Sequence, residues 1–165
     1  MTTESVTIWH LQMLDASEHQ PAALPATLSI NEAQLKQFQV NRFLYSLVGN
    51  DYQWHDKLNW DDARWKEYAE RDTLRTWIAY NQGSIAGYFE LELQAEKSVE
   101  LAYFGLAPSS IGQGFGKAML SHAISCAWQW DSPERLWVNT CSLDHPHALK
   151  NYQQRGFQIF KQETE

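Results

Sequence analysis

Apolar and polar residues alternate along three consecutive stretches in the middle of the chain, and this two-residue period is typical of β-strands. The stretches are residues 74–80, 85–93 and 99–107. The sequence NQGS between the first two contains the glycine that a hairpin turn favours, and AEKS separates the second stretch from the third. The pattern therefore predicts an antiparallel meander of three strands.

The segment before the meander contains one strand pattern and two helical patterns of apolar residues. Residues 5–14 alternate well enough to predict a first strand, and the stretch HQPAALPATLS that follows has two prolines and predicts a loop. Apolar residues then recur at helical spacing in residues 31–48 and 61–71, which predicts two helices. Asp61 or Asp62 is the expected N-terminal cap of the second one.

The segment after the meander predicts a helix, a strand, a second helix and a last strand. The helix makes a crossover between the third meander strand and the strand at residues 135–141, so these two strands should be parallel. Pro146 suits the first turn of the second helix, and Gly156 suits the position just past its end. The elements together predict an α/β (α+β) fold with a mixed, mostly antiparallel sheet.

Composition and charge narrow the function. The chain has 165 residues, 44 % of them hydrophobic and 20 % charged, which predicts one domain over residues 1–165 with a real core. A formal net charge of −7 argues against nucleic acid and fits a positively charged small partner. No apolar run approaches the roughly 20 residues of a spanning helix, and no signal-peptide pattern opens the chain, so we expect a cytoplasmic protein without membrane contact.

Three glycines at alternate positions, Gly112, Gly114 and Gly116, open the helix that follows the meander. Glycine tolerates positive φ angles and lets a ligand approach closely, and the first amides of a helix lack intrahelical partners. A helix that starts near Phe115 would complete a phosphate cradle. The alternative is a flexible turn that binds nothing. The spacing matches neither a P-loop nor a dinucleotide-binding fold.

Two motifs resemble those of the GNAT superfamily of acyl-CoA-dependent N-acyltransferases. The triplet Leu106-Ala107-Pro108 is similar to the Val-x-Pro-like end of a GNAT strand, and Gly114-Phe115-Gly116 is similar to the end of the [R/Q]-x-x-G-x-[G/A] motif. Downstream, HPHALKNYQQRGF resembles the family's fourth helix, with four residues in register: Ala148, Tyr152, Gly156 and Phe157. The chain also resembles a bacterial GNAT group with AYFGL, IGxGxG and LDHPxALxxYQxRGF.

The resemblance implies a single-domain GNAT fold of six to seven strands flanked by about four helices, with the sheet splayed between the strands at residues 99–107 and 135–141. It implies acetyl-CoA as co-substrate and no metal. The pantetheine would pair with the backbone of one strand, and the pyrophosphate would bind the glycine loop. The residues implied for CoA binding are Phe104, Leu106, Gly112, Gln113, Gly114, Phe115, Gly116 and Lys117. Gly105 suits the distortion that splays the strand.

Three features depart from the family pattern. Ile111 stands where the family usually has Arg or Gln, so a side-chain contact to the pyrophosphate is missing unless Gln113 or Lys117 substitutes for it. His145 stands where the family often has an Asn that contacts the cofactor. The sequence leaves three alternatives for the usual seventh strand: it is absent, residues 162–165 form it, or a partner supplies it. The last alternative would be met by a homodimer.

The resemblance implies two catalytic residues. An alkylammonium has a pKa near ~10, so acyl transfer to an amine needs a base. Glu100 corresponds by register to a carboxylate that some GNAT enzymes use as this base, and the alternative is an exposed strand carboxylate. Tyr152 corresponds to a tyrosine beside the CoA sulfur that can protonate the leaving thiolate. Its alternative is a helix tyrosine that only packs its ring.

Two further groups favour structural roles. Glu90 and Glu92 lie on one sheet face, which predicts a solvated surface. The histidines that flank Pro146 do not share a helix face, so helix-start packing is favoured over a metal site with Asp144.

Cys141 follows a strand, but no histidine is visibly paired with it, so an acyl-accepting thiol is only an alternative. An aromatic cluster in the two-helix region predicts core and lid packing. The resemblance implies that this region covers the acceptor side of the cleft, where a few of the rings would line the acceptor pocket and receive a cation. Its members are Phe43, Tyr45, Tyr52, Trp54, His55, Trp60 and Trp65.

The resemblance to the GNAT superfamily therefore implies an N-acetyltransferase that moves an acetyl group from acetyl-CoA to a primary amine of a small molecule or peptide by direct attack. Two alternatives stay open at this point. One is a protein of the same fold that senses acyl-CoA without turnover, which the presence of Tyr152 disfavours. The other is an acyltransferase that acts on a hydroxyl group.

Overall fold

The structure is a computed structural model that describes residues 5–165. Residues 1–4 lie outside the described part, and the absence of a signal peptide, which depends on them, stays a prediction. The described residues form seven strands and four α-helices. In chain order these are β1 (Thr7–Met13), β2 (Leu28–Glu32), α1 (Phe38–Gly49), α2 (Asp62–Ala69), β3 (Leu74–Asn81), β4 (Ser84–Gln94), β5 (Ser98–Leu106), α3 (Phe115–Trp128), β6 (Arg135–Cys141), α4 (Ala148–Gln154) and β7 (Gln158–Thr164).

The predicted meander is confirmed. β3 pairs antiparallel with β4, and β4 pairs antiparallel with β5. Asp61 is the cap of α2, since its Oδ1 accepts a hydrogen bond from the Arg64 amide at 2.9 Å. Gly156 follows α4 with φ +114°, as a residue just past a helix end often does.

The seven strands form one sheet in the order β2-β3-β4-β5-β6-β1-β7. β5 and β6 are the parallel neighbours that the crossover predicted, and they pair only over their first residues, from Ser98 with Arg135 to Glu100 with Trp137. Beyond Glu100 the two strands diverge. The predicted splay of the sheet is therefore confirmed, and it leaves a cleft between the ends of β5 and β6.

The N-terminal third differs from the prediction in two ways. The helix predicted from residue 31 begins only at Phe38, because residues 28–32 form β2 and pair with β3 at the edge of the sheet. This segment supplies the seventh strand that was missing from the prediction, while residues 162–164 extend β7. The β2 segment is short and adjoins a helical pattern, so the tertiary pairing decides its conformation.

The strand distortion also lies elsewhere than predicted. Leu91 pairs with Leu101 and Glu90 pairs with Tyr103, which makes Ala102 the extra residue of a bulge in β5. Gly105 serves a different purpose. A Cβ built there would lie 2.4 Å from Val48 Cγ1, so the glycine lets α1 pack closely against β5.

The helices cover both faces of the sheet. α3 and α4 pack on one face over a large apolar core, which includes Leu91, Leu101 and Met119, all at most 3 % exposed. α1 and α2 pack on the other face over a smaller, aromatic-rich core. No helix among residues 5–165 is both long and apolar enough to cross a membrane.

Candidate active site

A cavity of about 380 Å³ lies at the open end of β5, and we call it the glycine cavity. Its walls are the end of β5, the loop that leads into α3, and the start of α4. Gly112 and Gly114 have φ angles of +88° and +78°, which L-residues with side chains rarely adopt. A Cβ on Gly112 would meet no atom within 4 Å, and one on Gly114 would meet only the flexible end of Lys117. The loop therefore presents bare backbone to open space.

α3 starts at Phe115, in agreement with the helix start considered near that residue, and its N-terminal cap is Gly114, which has no side chain to accept from the first amides. The amides of the first turn consequently have no intrahelical acceptor and lie at the positive end of a 14-residue helix. Lys117 adds a positive side chain to the cavity wall. This arrangement suits an anion such as a pyrophosphate.

The end of β5 presents a second row of backbone groups. The Ala107 amide donates to the Ala86 carbonyl of β4 at 2.8 Å. Because backbone groups alternate along a strand, Phe104 and Leu106 direct theirs to the opposite edge. That edge faces the gap left by β6, so a ligand in the glycine cavity can pair there as another strand would.

A second cavity of about 380 Å³ lies in the aromatic region, and we call it the aromatic cavity. α1, the residues that follow it, the middle of β5 and the end of β6 form its walls. Four residues line both cavities: Tyr52, Phe104, Asp144 and Tyr152. The two cavities therefore adjoin, and these four residues mark their junction.

Tyr152 lies at the junction and is 4 % exposed. Its ring packs edge-on against Phe104 and Phe157, with centroid distances of 6.1 and 5.8 Å. Burial, with a further contribution from the Asp144 carboxylate, raises the pKa of Tyr152 well above its usual value. The phenol consequently stays protonated at neutral pH, which is the state that a proton donor needs.

Glu100 lies on the α1–α2 face of the sheet and lines neither cavity. Its Oε1 accepts a hydrogen bond from the Gln94 side-chain amide at 3.0 Å. Burial, followed by the nearby charge of Glu92, raises the pKa of Glu100 to about 7. The carboxyl is thus partly buried rather than an exposed strand group.

The sequence of residues 32–157 matches a family model described as "Acetyltransferase (GNAT) family". The chain belongs to this family. GNAT proteins use acetyl-CoA, and the α3 start, the glycine loop and the free edge of β5 are where the family resemblance led us to expect its binding. None of the curated proteins matches the chain.

Solved structures of acetyltransferases share the fold. A GCN5-related N-acetyltransferase from Kribbella flavida is 15 % identical with a TM-score of 0.67, over 96 % of this chain and 58 % of that one. A second, from Sphaerobacter thermophilus, is 12 % identical with a TM-score of 0.73, over 97 % and 50 %. A Bacillus subtilis acetyltransferase in complex with CoA is 22 % identical with a TM-score of 0.61, over 81 % and 78 %. The chain thus spans about half the length of the first two.

The departures from the family motifs have structural counterparts. Ile111 lines the glycine cavity with an apolar side chain, whereas the Gln113 amide donates to the Ser109 carbonyl at 3.2 Å. Lys117 is therefore the better placed of the two candidates to face an anion. His145 lines the cavity and packs its ring on Tyr52, at a centroid distance of 5.9 Å.

Asp144 is a candidate that the sequence pattern did not reveal as part of the cleft. Its carboxylate accepts hydrogen bonds from the Thr140 hydroxyl and the His145 amide, both at 2.8 Å. Burial raises the pKa of Asp144. The only signal in the sequence is its position between a strand and a helix, which is too common to distinguish it.

Within residues 5–165, no group of three or more His, Cys, Asp or Glu side chains is arranged to hold a metal ion.

Glu90 was predicted to lie on a solvated face, and this prediction is wrong. The residue is 1 % exposed, and α1 and α2 cover it. Asn41 Nδ2 donates to its Oε2 at 2.9 Å, and the Tyr68 hydroxyl donates to its Oε1. Alternation along a strand shows which residues share a face but not whether helices cover that face.

Cys141 is a free thiol that lines the aromatic cavity, and its role as an acyl acceptor stays an untested alternative.

Proposed function

We propose that the protein transfers an acetyl group from acetyl-CoA to a primary amine by direct attack. The observation that carries the proposal is the junction of the two cavities at Tyr152 and Asp144. One cavity offers backbone donors for an anionic, extended molecule, and the other offers aromatic rings and carboxylates for a cation. A reaction between the two occupants would take place where the cavities adjoin.

The residues for holding acetyl-CoA are those of the glycine cavity. The amides of residues 112–117 would bind the pyrophosphate, and the backbone of Phe104 and Leu106 would pair with the pantetheine amides. The fit is supported by the two positive-φ glycines, whose missing side chains leave the approach free. When bound, acetyl-CoA supplies the activated acyl group.

The chemistry requires one proton acceptor and one proton donor. The neutral amine nitrogen, formed when the ammonium ion gives its extra proton to bulk water, bonds to the acyl carbon as the carbon–sulfur bond breaks, so the amine loses a proton and the sulfur gains one. Glu100 takes the first proton through water, since a pKa of about 7 suits a base near neutral pH. Tyr152 donates the second proton. Asp144 attracts the amine to the junction. Burial, together with the charge of Asp144, keeps Tyr152 protonated.

The experiment measures thiol release from acetyl-CoA with matched pairs of primary amines and alcohols, alongside CoA binding by calorimetry. We expect release with amines and a much lower rate with the matching alcohols. CoA binding without release for any amine would favour a sensing protein, and faster release with alcohols would favour O-acylation. CoA binding gives a readout that does not depend on the acceptor chosen.

A further inference from the structure

The side chain of Lys57 lies inside an aromatic cage on the α1–α2 face. Its Nζ is 4.6 Å from the ring centroid of Trp60, 4.9 Å from that of Tyr68 and 4.8 Å from that of Tyr103. The same Nζ donates a hydrogen bond to the Tyr103 hydroxyl at 2.9 Å. The faces of Trp60 and Tyr68 and the hydroxyl end of Tyr103 thus surround one ammonium group, and contacts of a cation with aromatic rings are how proteins recognise alkylated ammonium ligands.

Carboxylates complete the electrostatics of the cage. Glu90 lies beneath it, with one oxygen bonded to the Tyr68 hydroxyl and the other to Asn41. Burial lowers the pKa of Lys57, while the charges of Glu90, Asp56 and Glu100 oppose this effect. An ammonium group in the cage thus exchanges its water for ring faces and nearby negative charge.

The occupant of the cage can leave without dismantling it. Lys57 belongs to residues 53–61, which connect the helical regions without a regular helix or strand. Trp60 packs edge-on against Trp65 and Tyr68, at 5.3 and 5.5 Å, so its ring is held independently of the lysine. Rotation of the lysine side chain alone would vacate the space between the rings.

The cage adjoins the acceptor side of the cleft but not the reacting atoms. Tyr103 lines both the cage and the aromatic cavity. Its neighbour Phe104 packs against Tyr152. Consecutive strand residues project from opposite faces of a sheet, so the cage and the Tyr152 ring lie on different sides of β5. A cation held in the cage is therefore separate from an amine positioned at the junction.

We propose that the cage of Trp60, Tyr68 and Tyr103 is a binding subsite for a second ammonium group of the acceptor, and that Lys57 is the chain's own occupant of it. The acceptor class that follows is a diamine, or another primary amine with a second alkylammonium group. The acceptor role of the subsite rests on the proposed function, whereas its affinity for a cation does not.

The first test measures binding of n-butylammonium, whose chain matches the lysine side chain, to the full-length protein by calorimetry without CoA. We expect Lys57→Ala to bind it about tenfold more tightly than the wild-type protein does, because the cage is vacated. The exposed Lys66→Ala on α2 is the matched control and should bind as wild type does. Neutral 1-butanol should show no such gain. Equal affinity of Lys57→Ala and wild type for n-butylammonium overturns the proposal.

A second variant identifies the cage as the place of binding. Adding Trp60→Leu to Lys57→Ala should abolish the tenfold gain, and a gain that persists in the double variant overturns the proposal. If circular dichroism shows that Lys57→Ala does not fold, Lys57→Gln replaces it. Glutamine removes the charge and retains more of the side chain than alanine does.

The activity test separates this proposal from the proposed function. In the wild-type protein, 1,5-diaminopentane should give a kcat/KM at least tenfold above that of n-butylamine, and Trp60→Leu should remove the difference. If no amine releases thiol but Lys57→Ala shows its gain in binding, the proposed function fails and the cation subsite stands. If amines are acetylated and the gain is missing, the subsite is overturned and the proposed function stands.

Discussion

The glycine cavity and the aromatic cavity are alike in size, at about 380 Å³ each, but they are built from different parts of the polypeptide. The glycine cavity presents main-chain groups from β5 and from the start of α3. The aromatic cavity presents side chains such as Tyr45, Trp54 and Tyr103. A main-chain wall binds features common to every molecule of a class, such as a pyrophosphate. A side-chain wall distinguishes one ligand from another.

The two cavities also differ in the sign of the ligand charge that they suit. The chain has a formal net charge of −7, which repels an anionic ligand over long range. Backbone amides and a helix N-terminus act over a few ångströms and do not change the net charge of the protein. The acidic groups Glu90, Glu100 and Asp144 lie on the side that is proposed to receive a cation. The difference between the two cavities would let an acidic chain bind an anion beside a cation, as the proposed function requires.

Substitution of Tyr152, which both cavities share, should have the largest effect. Tyr152→Phe keeps the ring contacts with Phe104 and Phe157 but removes the proton donor. We expect kcat to fall roughly tenfold to a thousandfold, which overlaps the usual range for acid–base groups, with CoA affinity unchanged by calorimetry. Tyr80→Phe, outside both cavities, is the control and should leave kcat unaltered. A fully active Tyr152→Phe protein would show that the sulfur obtains its proton elsewhere.

Gly114→Val tests the main-chain wall. Valine at φ +78° is strained, and its side chain would occupy the open space of the glycine cavity where CoA is proposed to bind. We expect CoA affinity to fall roughly 10- to 100-fold, which corresponds to the loss of one or two hydrogen bonds to a charged group. Gly83→Val is the control, because Gly83 has φ +79° in the β3–β4 turn and therefore the same strain away from the cleft. Equal CoA affinity of the two folded variants would place the pyrophosphate elsewhere.

The pH dependence of kcat/KM can distinguish the roles of the carboxylates Glu100 and Asp144. As a base Glu100 works only when ionised, so kcat/KM should rise as pH increases through about 7, the pKa of Glu100. In Glu100→Gln, kcat/KM at pH 8 should be roughly tenfold lower than in the wild-type protein, and its rise with pH should disappear. Asp144→Asn should lower kcat/KM but keep the rise. Should Asp144→Asn abolish the rise instead, Asp144 is the base.

The smallest expected effect concerns stability. Burial raises the pKa of Glu100 from its usual value of 4.5 to about 7 in the folded protein, so the folded state favours the protonated form. Stability from this group is present below pH 4.5 and is lost as pH rises towards 7. Glu100→Gln should therefore raise Tm by about 3 °C at pH 8.5, relative to wild type, and by less at pH 5. Thermal unfolding at the two pH values measures this, and an equal change at both would mean that ionisation of Glu100 is not the cause.

The sequence was informative where a local rule applies. Alternation and turn residues located the meander, and the glycine-rich stretch indicated a helix that starts near Phe115, as α3 does. It was less informative where a segment depends on distant partners. Where the structure has the strand β2, the sequence predicts a loop and a helix start, because five residues carry too little pattern without the neighbouring β3.

The sequence by itself determined the main-chain half of the cleft. Glycines at alternate positions, a helix start and the end of a strand lie close together in the chain, so local conformation is enough to bring them together. Only the tertiary structure decided the side-chain half. Lys57, Glu90 and Tyr103 come from different elements, and nothing in their spacing indicates that an ammonium group meets three rings above a buried carboxylate. The burial of Glu90 was likewise decided by the helices that pack over its face, since alternation in a strand does not reveal what covers it.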